Sequence, residues 1–353
     1  MPITTSSSRT SVFVGICAAA VLTVVAYVLL RPAPSGALAP AVAATAAPAE
    51  ALAAVVKAPH LLFRSTDYGR GTGGQMGIVP IDALDSPPLF TLLTCDRVSF
   101  AAGTGVCLAA ERGMVTSYRA DLFDQAFHTR HRVPLSGVPS RTRVAPDGAV
   151  AASTNFVNGD SYAAGGFSTR TLLIDTATGN VIENLEAFQV TRDNQPCKEV
   201  DFNFWGVTFT TTPGRFYATL ASGGQIYLVE GDVTKRTARV VRTGIECPSL
   251  SPDNRRMAFK KRMPGIRLVW RIHVLDLESG AETALAETRS VDDQVEWLDN
   301  ATILYALPNG GKARPVMDIW AAAADGSGTP RVLLTNAESP AVVRPPSAVA
   351  ATR

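Results

Sequence analysis

A short unit recurs along this chain and limits what it can fold into: a tight turn, a strand, a loop, a second strand and another turn. The clearest copy opens at Ser251-Pro252-Asp253-Asn254 and continues through Arg256-Met257-Ala258-Phe259. It closes with Ile272-His273-Val274-Leu275-Asp276-Leu277-Glu278-Ser279-Gly280. Proline presets φ in such a turn, aspartate can accept from its own backbone, and asparagine tolerates the left-handed conformation. The approximate alternation of Ile272, Val274 and Leu277 predicts a half-buried strand. Further copies begin at Ala145-Pro146-Asp147-Gly148 and Leu298-Asp299-Asn300, with divergent ones at Ala102-Gly103-Thr104-Gly105 and Thr212-Pro213-Gly214.

Spacing turns this unit into an architecture. Asp82, Asp121, Asp175, Asp232, Asp276 and Asp325 mark roughly equivalent positions, separated by 39, 54, 57, 44 and 49 residues. Repeats of about 40–50 residues with four strands each are the mark of β-propeller blades. Six markers over residues 59–344 predict an all-β, six-bladed propeller. A blade cannot bury both of its own faces, so neighbours must stack radially to make a core. The first recognisable strand, Leu61-Leu62-Phe63, has no inner strand before it, while Pro340-Ala341-Val342-Val343 follows the last outer strand. The C-terminus is therefore expected to complete blade one and remove its open edge. A β-sandwich is the alternative and accounts poorly for six copies.

The Ser251-Pro252-Asp253 turn, Met257-Ala258-Phe259 and the run Ile272 to Gly280 resemble the WD40-like (PD40) repeat of TolB-like six-bladed propellers. The resemblance covers residues 60–344 and is strongest over 140–335. The whole chain is similar to the membrane-anchored or secreted members of that group from high-GC Gram-positive bacteria. It implies a periplasmic-type scaffold role and assigns the repeated Asp and Gly residues to turns; it brings no catalytic residue.

Residues 12–30, VFVGICAAAVLTVVAYVLL, contain no charge. As a helix they would reach about 28 Å, close to the hydrocarbon thickness of a bilayer. The run exceeds the usual apolar core of a cleaved signal peptide. The expectation is a single-pass signal-anchor behind a short cytoplasmic head, residues 1–11, with the body outside the cytoplasm. Small residues behind the run keep cleavage and secretion as the alternative. Residues 33–58 hold 13 Ala and 3 Pro, so 31–58 reads as a tether, and 345–353 as a flexible tail.

Four cysteines lie in the body. Cys95 precedes the strand at 97–100 and Cys107 lies in the next, so a hairpin brings them together. Cys197 and Cys247 each precede an inner strand of adjacent blades. The favoured pairing is Cys95–Cys107 and Cys197–Cys247, with free thiols as the alternative; disulfides fit an oxidising compartment.

From position 58 onward basic and acidic residues balance at 30 each, so nothing in the charge points to nucleic acid. No phosphate-binding or dinucleotide glycine motif is present, no CxxC, and no cofactor or metal site is assigned. The acids Asp292, Asp293 and Glu296, and Glu199 with Asp201, keep open an enzyme acting on a glycan or small metabolite through channel carboxylates. No residue is assigned as catalytic. The weak binding candidates are a basic run of blade five, with Lys260, Lys261 and Arg262 at its centre, and Trp205 in the aromatic segment 202–209. The expected function is an extracytoplasmic binding or scaffold module. Its expected partners are the membrane, through the N-terminal helix, and an envelope protein or cell-wall polymer.

Overall fold

The computed structural model describes residues 7–30, 46–157, 168–310 and 316–345. The assigned head before residue 7, the tether over 31–45 and the tail from 346 lie outside the described residues. The chain divides into two compact units, 1–43 and 44–353. In the first, one helix runs Ser7–Leu30 and includes the apolar stretch. Among the described residues no helix is long and apolar enough to cross a membrane, so the transmembrane expectation stays a reading of the sequence.

The second unit is a ring of six sheets, antiparallel throughout except where an added strand of blade four, Gln189–Arg192, pairs parallel with Thr237–Thr243. Blade one is built, from the axis outward, of Ala337–Val343, His60–Ser65, Gln75–Pro80 and Leu89–Thr94. Blade two is Arg97–Ala101, Thr104–Glu111, Ser117–Asp124 and Thr129–Leu135. Blade three is Val138–Val144, Val150–Val157, Ser168–Asp175 and Val181–Asn184. Blade four is Asn203–Phe209, Arg215–Ser222, Gln225–Asp232 and Thr237–Thr243, widened at its outer edge by Gln189–Arg192 and Gln195–Pro196. Blade five is Glu246–Leu250, Arg256–Arg262, Trp270–Asp276 and Glu282–Ala284. Blade six is Glu296–Trp297, Thr302–Pro308, Met317–Ala323 and Arg331–Leu334.

The clasp forms as the sequence predicts. The last strand pairs antiparallel with the first, Leu61 opposite Val342 and Leu62 opposite Ala341. The clasp covers the inner edge of His60–Ser65 and gives blade one the same four strands as its neighbours.

The core explains why six units suffice. Each of six apolar clusters lies between two neighbouring blades. Leu62 joins Cys107 and Phe123 of blade two, whereas Leu61 joins Leu304 and Ile319 of blade six. Both leucines are fully buried, each contributing about 1.5–3 kcal/mol by leaving water. Adjacent residues therefore point into different cores, and the strand reads as a continuous apolar run rather than an alternation.

Local chemistry holds the turns. Ser251 Oγ donates to Asp253 at 2.6 Å and accepts from the Arg256 N–H at 2.9 Å, with Asn254 at φ 56°. Asp276 accepts from the Ser279 N–H at 2.8 Å, Asp175 from the Thr178 N–H at 2.8 Å. In blade two the equivalent turn acid is Asp124, which accepts from the Ala126 and His128 N–H groups. Asp121, the sequence marker, is instead buried mid-strand between Arg119 and Arg132, both 2.8 Å away.

In the later part of the assigned tether, Ala49–Val55 forms a short helix whose Leu52 and Val55 pack on the cluster between blades one and two. The Ala47 N–H donates to the Phe90 carbonyl at 2.8 Å.

Candidate functional site

The inner strands bring charged side chains to the axis. Blade six supplies the segment Asp292 to Glu296, and it reaches four other blades. Asp292 meets Lys260 of blade five at 2.5 Å and Arg141 of blade three at 3.4 Å. Asp293 lies 3.9 Å from Arg97 of blade two. Gln294 donates to the carbonyls of Val207 in blade four, 2.9 Å, and Pro248 in blade five, 3.2 Å. Glu296 pairs with Arg143 of blade three, which also donates to Ser249 Oγ and the Val295 carbonyl. Blade one adds Glu338, paired with Arg64 and 3.9 Å from Arg97.

These contacts close the channel. The space left among Arg97, Arg141, Arg143, Asp293 and Glu296 is about 20 Å³, water-sized at most. Burial works to raise the Asp292 carboxyl, but Lys260, Arg141 and Arg97 outweigh it and hold it below its ordinary value. Such a pinned carboxylate is poorly suited to donate a proton near neutral pH.

Beyond the plug, where the inner strands end, a cup of about 280 Å³ opens. All six blades line it: Ala341, Phe100, Pro146, Phe209, Pro252 and Trp297, in blade order. Arg143 and Glu296 also line it, so the plug is its floor. Trp297 is fixed by its Nε1–H, which donates to the Ser249 carbonyl at 2.9 Å.

The residues singled out from the sequence fall in different places. Asp292, Asp293 and Glu296 converge on the axis as their clustering suggested. Glu199 and Asp201 do not: Glu199 pairs with Arg192 at 3.0 Å on the outer hairpin, and Asp201 caps Ser222 and Gly223. The basic run divides between one buried lysine and more exposed neighbours. Lys260 is 3% exposed, stacked 4.6 Å above the Trp270 ring and paired with Asp292. Lys261 pairs with Glu282 at 2.5 Å and Arg262 with Glu246 at 3.5 Å. Trp205 is buried at 9% exposure in the inner strand of blade four, which makes it a packing residue.

The cysteines give one confirmation and one correction. Cys95–Cys107 is a disulfide, with Cα atoms 5.2 Å apart. Cys197 and Cys247 are free. Cys197 follows the hairpin that widens blade four at its outer edge, whereas Cys247 sits on an inner strand. The insertion carries Cys197 across the width of a blade, about 4.8 Å per strand, well beyond disulfide reach. Arg64, Arg97, Arg141, Arg143 and Glu338 went unnoticed in the sequence. For all but Arg64, which lies on the second strand of blade one, the signal was charge inside strands that the repeat places innermost, as in Arg141-Thr142-Arg143.

No family model matches the chain, and no curated protein matches its sequence. Solved structures match its shape. TolB from Acinetobacter baumannii aligns with 80% of this chain at 16% identity and a TM-score of 0.52; this chain spans 66% of that one, just under two thirds. A chain of a nidogen/laminin complex aligns over 80% of this chain and 98% of its own, at 11% identity and a TM-score of 0.52. The body is a six-bladed β-propeller with TolB-like structural neighbours. At these identities the likeness concerns the fold alone.

Proposed function

We propose that the chain is a binding or scaffold module displayed outside the cytoplasm, and that it presents the six-walled cup to an envelope protein or cell-wall component. The closed floor carries this reading: Asp292, Asp293, Glu296 and Glu338 each face a cation, so the channel offers a rigid blind cup. Stiff rings with variable loops are suited to recognition. The Cys95–Cys107 bridge supports an oxidising location, and the uncharged 19-residue stretch supports anchorage of the body to a membrane.

The test is a photo-crosslinking residue at Phe100, on the cup wall, in the full chain expressed in its own cells. A discrete adduct from Phe100, absent when the same group replaces exposed Val241 on an outer strand, is the expected result. No adduct from the cup would overturn the reading.

A further inference from the structure

The two ends of the ring differ in what they expose. One end carries the described loops between second and third strands, together with the lead-ins to the inner strands. There Met114 and Val115 in the blade-two loop, and Ile266 and Leu268 in the blade-five loop, stand in solvent; Met114 and Ile266 are fully exposed. Val200, in the lead-in to blade four, is 78% exposed. At the opposite end the exposed large hydrophobic side chains among the described residues are Leu277 in its turn, at 37%, and Val181 and Val332 where two outer strands begin, at 46% and 38%.

Cations accompany the apolar tips. Arg112 flanks Met114, Arg267 sits between Ile266 and Leu268, and Lys198 lies two residues before Val200, all exposed. The channel cations are neutralised by carboxylates, whereas these three have no ion-pair partner among the described residues. Blades two and five are opposite one another in the ring, so the tips are separate feet rather than one patch.

We infer that this loop face rests on an anionic lipid surface, with the aliphatic tips entering the headgroup boundary and Arg112, Lys198 and Arg267 meeting lipid phosphates. Scattered single tips on one side of a stiff ring do not make the contiguous, well-packed core that a protein interface needs. A bilayer asks only that the tips reach one plane, and flanking cations strengthen binding to anionic lipid. The inference goes beyond the cup and does not use the N-terminal helix.

The body, residues 44–353, holds all six core clusters and its own clasp, so it can be tested alone. Its sedimentation is measured with vesicles of phosphatidylcholine and of phosphatidylcholine with phosphatidylglycerol. Binding to the anionic vesicles, weaker on neutral ones and weakened by salt, is expected. Arg112→Glu with Arg267→Glu should weaken it by about 25-fold or more, roughly fivefold or more per charge reversed. Met114→Asp with Ile266→Asp should weaken it on the same vesicles, whereas Leu277→Asp should leave it unchanged. All five side chains are exposed, and unaltered melting would confirm intact folding. A body that stays in the supernatant, or loop variants that sediment like the parent, would overturn the inference. Crosslinking from the cup would be unaffected by that outcome, so the two proposals fail separately.

Discussion

Arg143 and Glu296 join opposite sides of the ring: the guanidinium of blade three meets the carboxylate of blade six across the axis, each 17% exposed. Removing one member of such a pair strands its partner in a low-dielectric setting, costing about 3–5 kcal/mol. Glu296→Leu should therefore lower the melting temperature by many degrees, and Arg143→Met with Glu296→Leu should recover much of the loss. A double variant no more stable than the single one would mean that the pair does not act as a unit.

The three basic residues of blade five should separate in their effects. Lys260→Glu puts a buried negative charge beside Asp292 and should collapse stability. Lys261→Glu and Arg262→Glu remove cations that are themselves half exposed, and each should cost clearly less than Lys260→Glu. Thermal melts of the three single variants decide the matter; equal losses would contradict the burial of Lys260.

Thiol chemistry is equally specific. The intact body under non-reducing conditions should weigh two hydrogen masses less than after reduction, from Cys95–Cys107 alone. Alkylation of the native body should modify half-buried Cys197 and spare buried Cys247. A loss of four hydrogen masses would restore the second bridge. Reduction should cost about 2–4 kcal/mol.

Two carboxyl groups should shape stability against pH in opposite directions. Burial pushes Glu186, between blades three and four, up to about 7, despite N–H donors on Thr171 and Phe204. The folded state then holds this proton more tightly than the unfolded chain, so stability falls as pH rises from about 4.5 through 7. Burial also works to raise Glu287, but Arg289 and the Tyr305 hydroxyl outweigh it and bring the carboxyl down to about 2. Its contribution is present above about 4.5 and lost as pH falls toward 2. Melting curves of Glu186→Gln minus the parent should slope upward between pH 5 and 7; a flat difference would reject the assignment.

Glycine opposite phenylalanine recurs in blades one, two and four: Gly77 under Phe63, Gly105 under Phe123, Gly231 under Phe216. A Cβ on Gly231 would stand 2.0 Å from the Phe216 ring. Gly231→Ala should cost about 1–3 kcal/mol through overpacking, read by denaturant unfolding. An unchanged midpoint would show that the ring can move aside.

Much of the fold was legible because its signals are local. The Ser251-Pro252-Asp253-Asn254 turn needs only neighbouring backbone, and the missing strand before Leu61 is a matter of counting. The axis was less legible because it depends on which residues of distant repeats point inward. Lys260 looked like part of a basic surface until Trp270 and Asp292 were seen to enclose it. Asp121 stood in for Asp124 because both lie on the one strand Ser117–Asp124, and only the strand register shows which of them reaches the turn. Cys197 misled for a similar reason: the inserted hairpin between blades three and four moves it outward, and no repeat spacing records that displacement.

The pairing of Ala337–Val343 with His60–Ser65 also sets a timetable. A ribosome makes the first strand of blade one nearly 280 residues before its inner neighbour exists. Until the last strand emerges, the nascent ring must wait open, with the Leu61–Phe63 segment lacking its lining. A premature stop just ahead of Ala337 would leave every other blade intact yet yield a gapped horseshoe, prone to recruit a stray strand from a second copy.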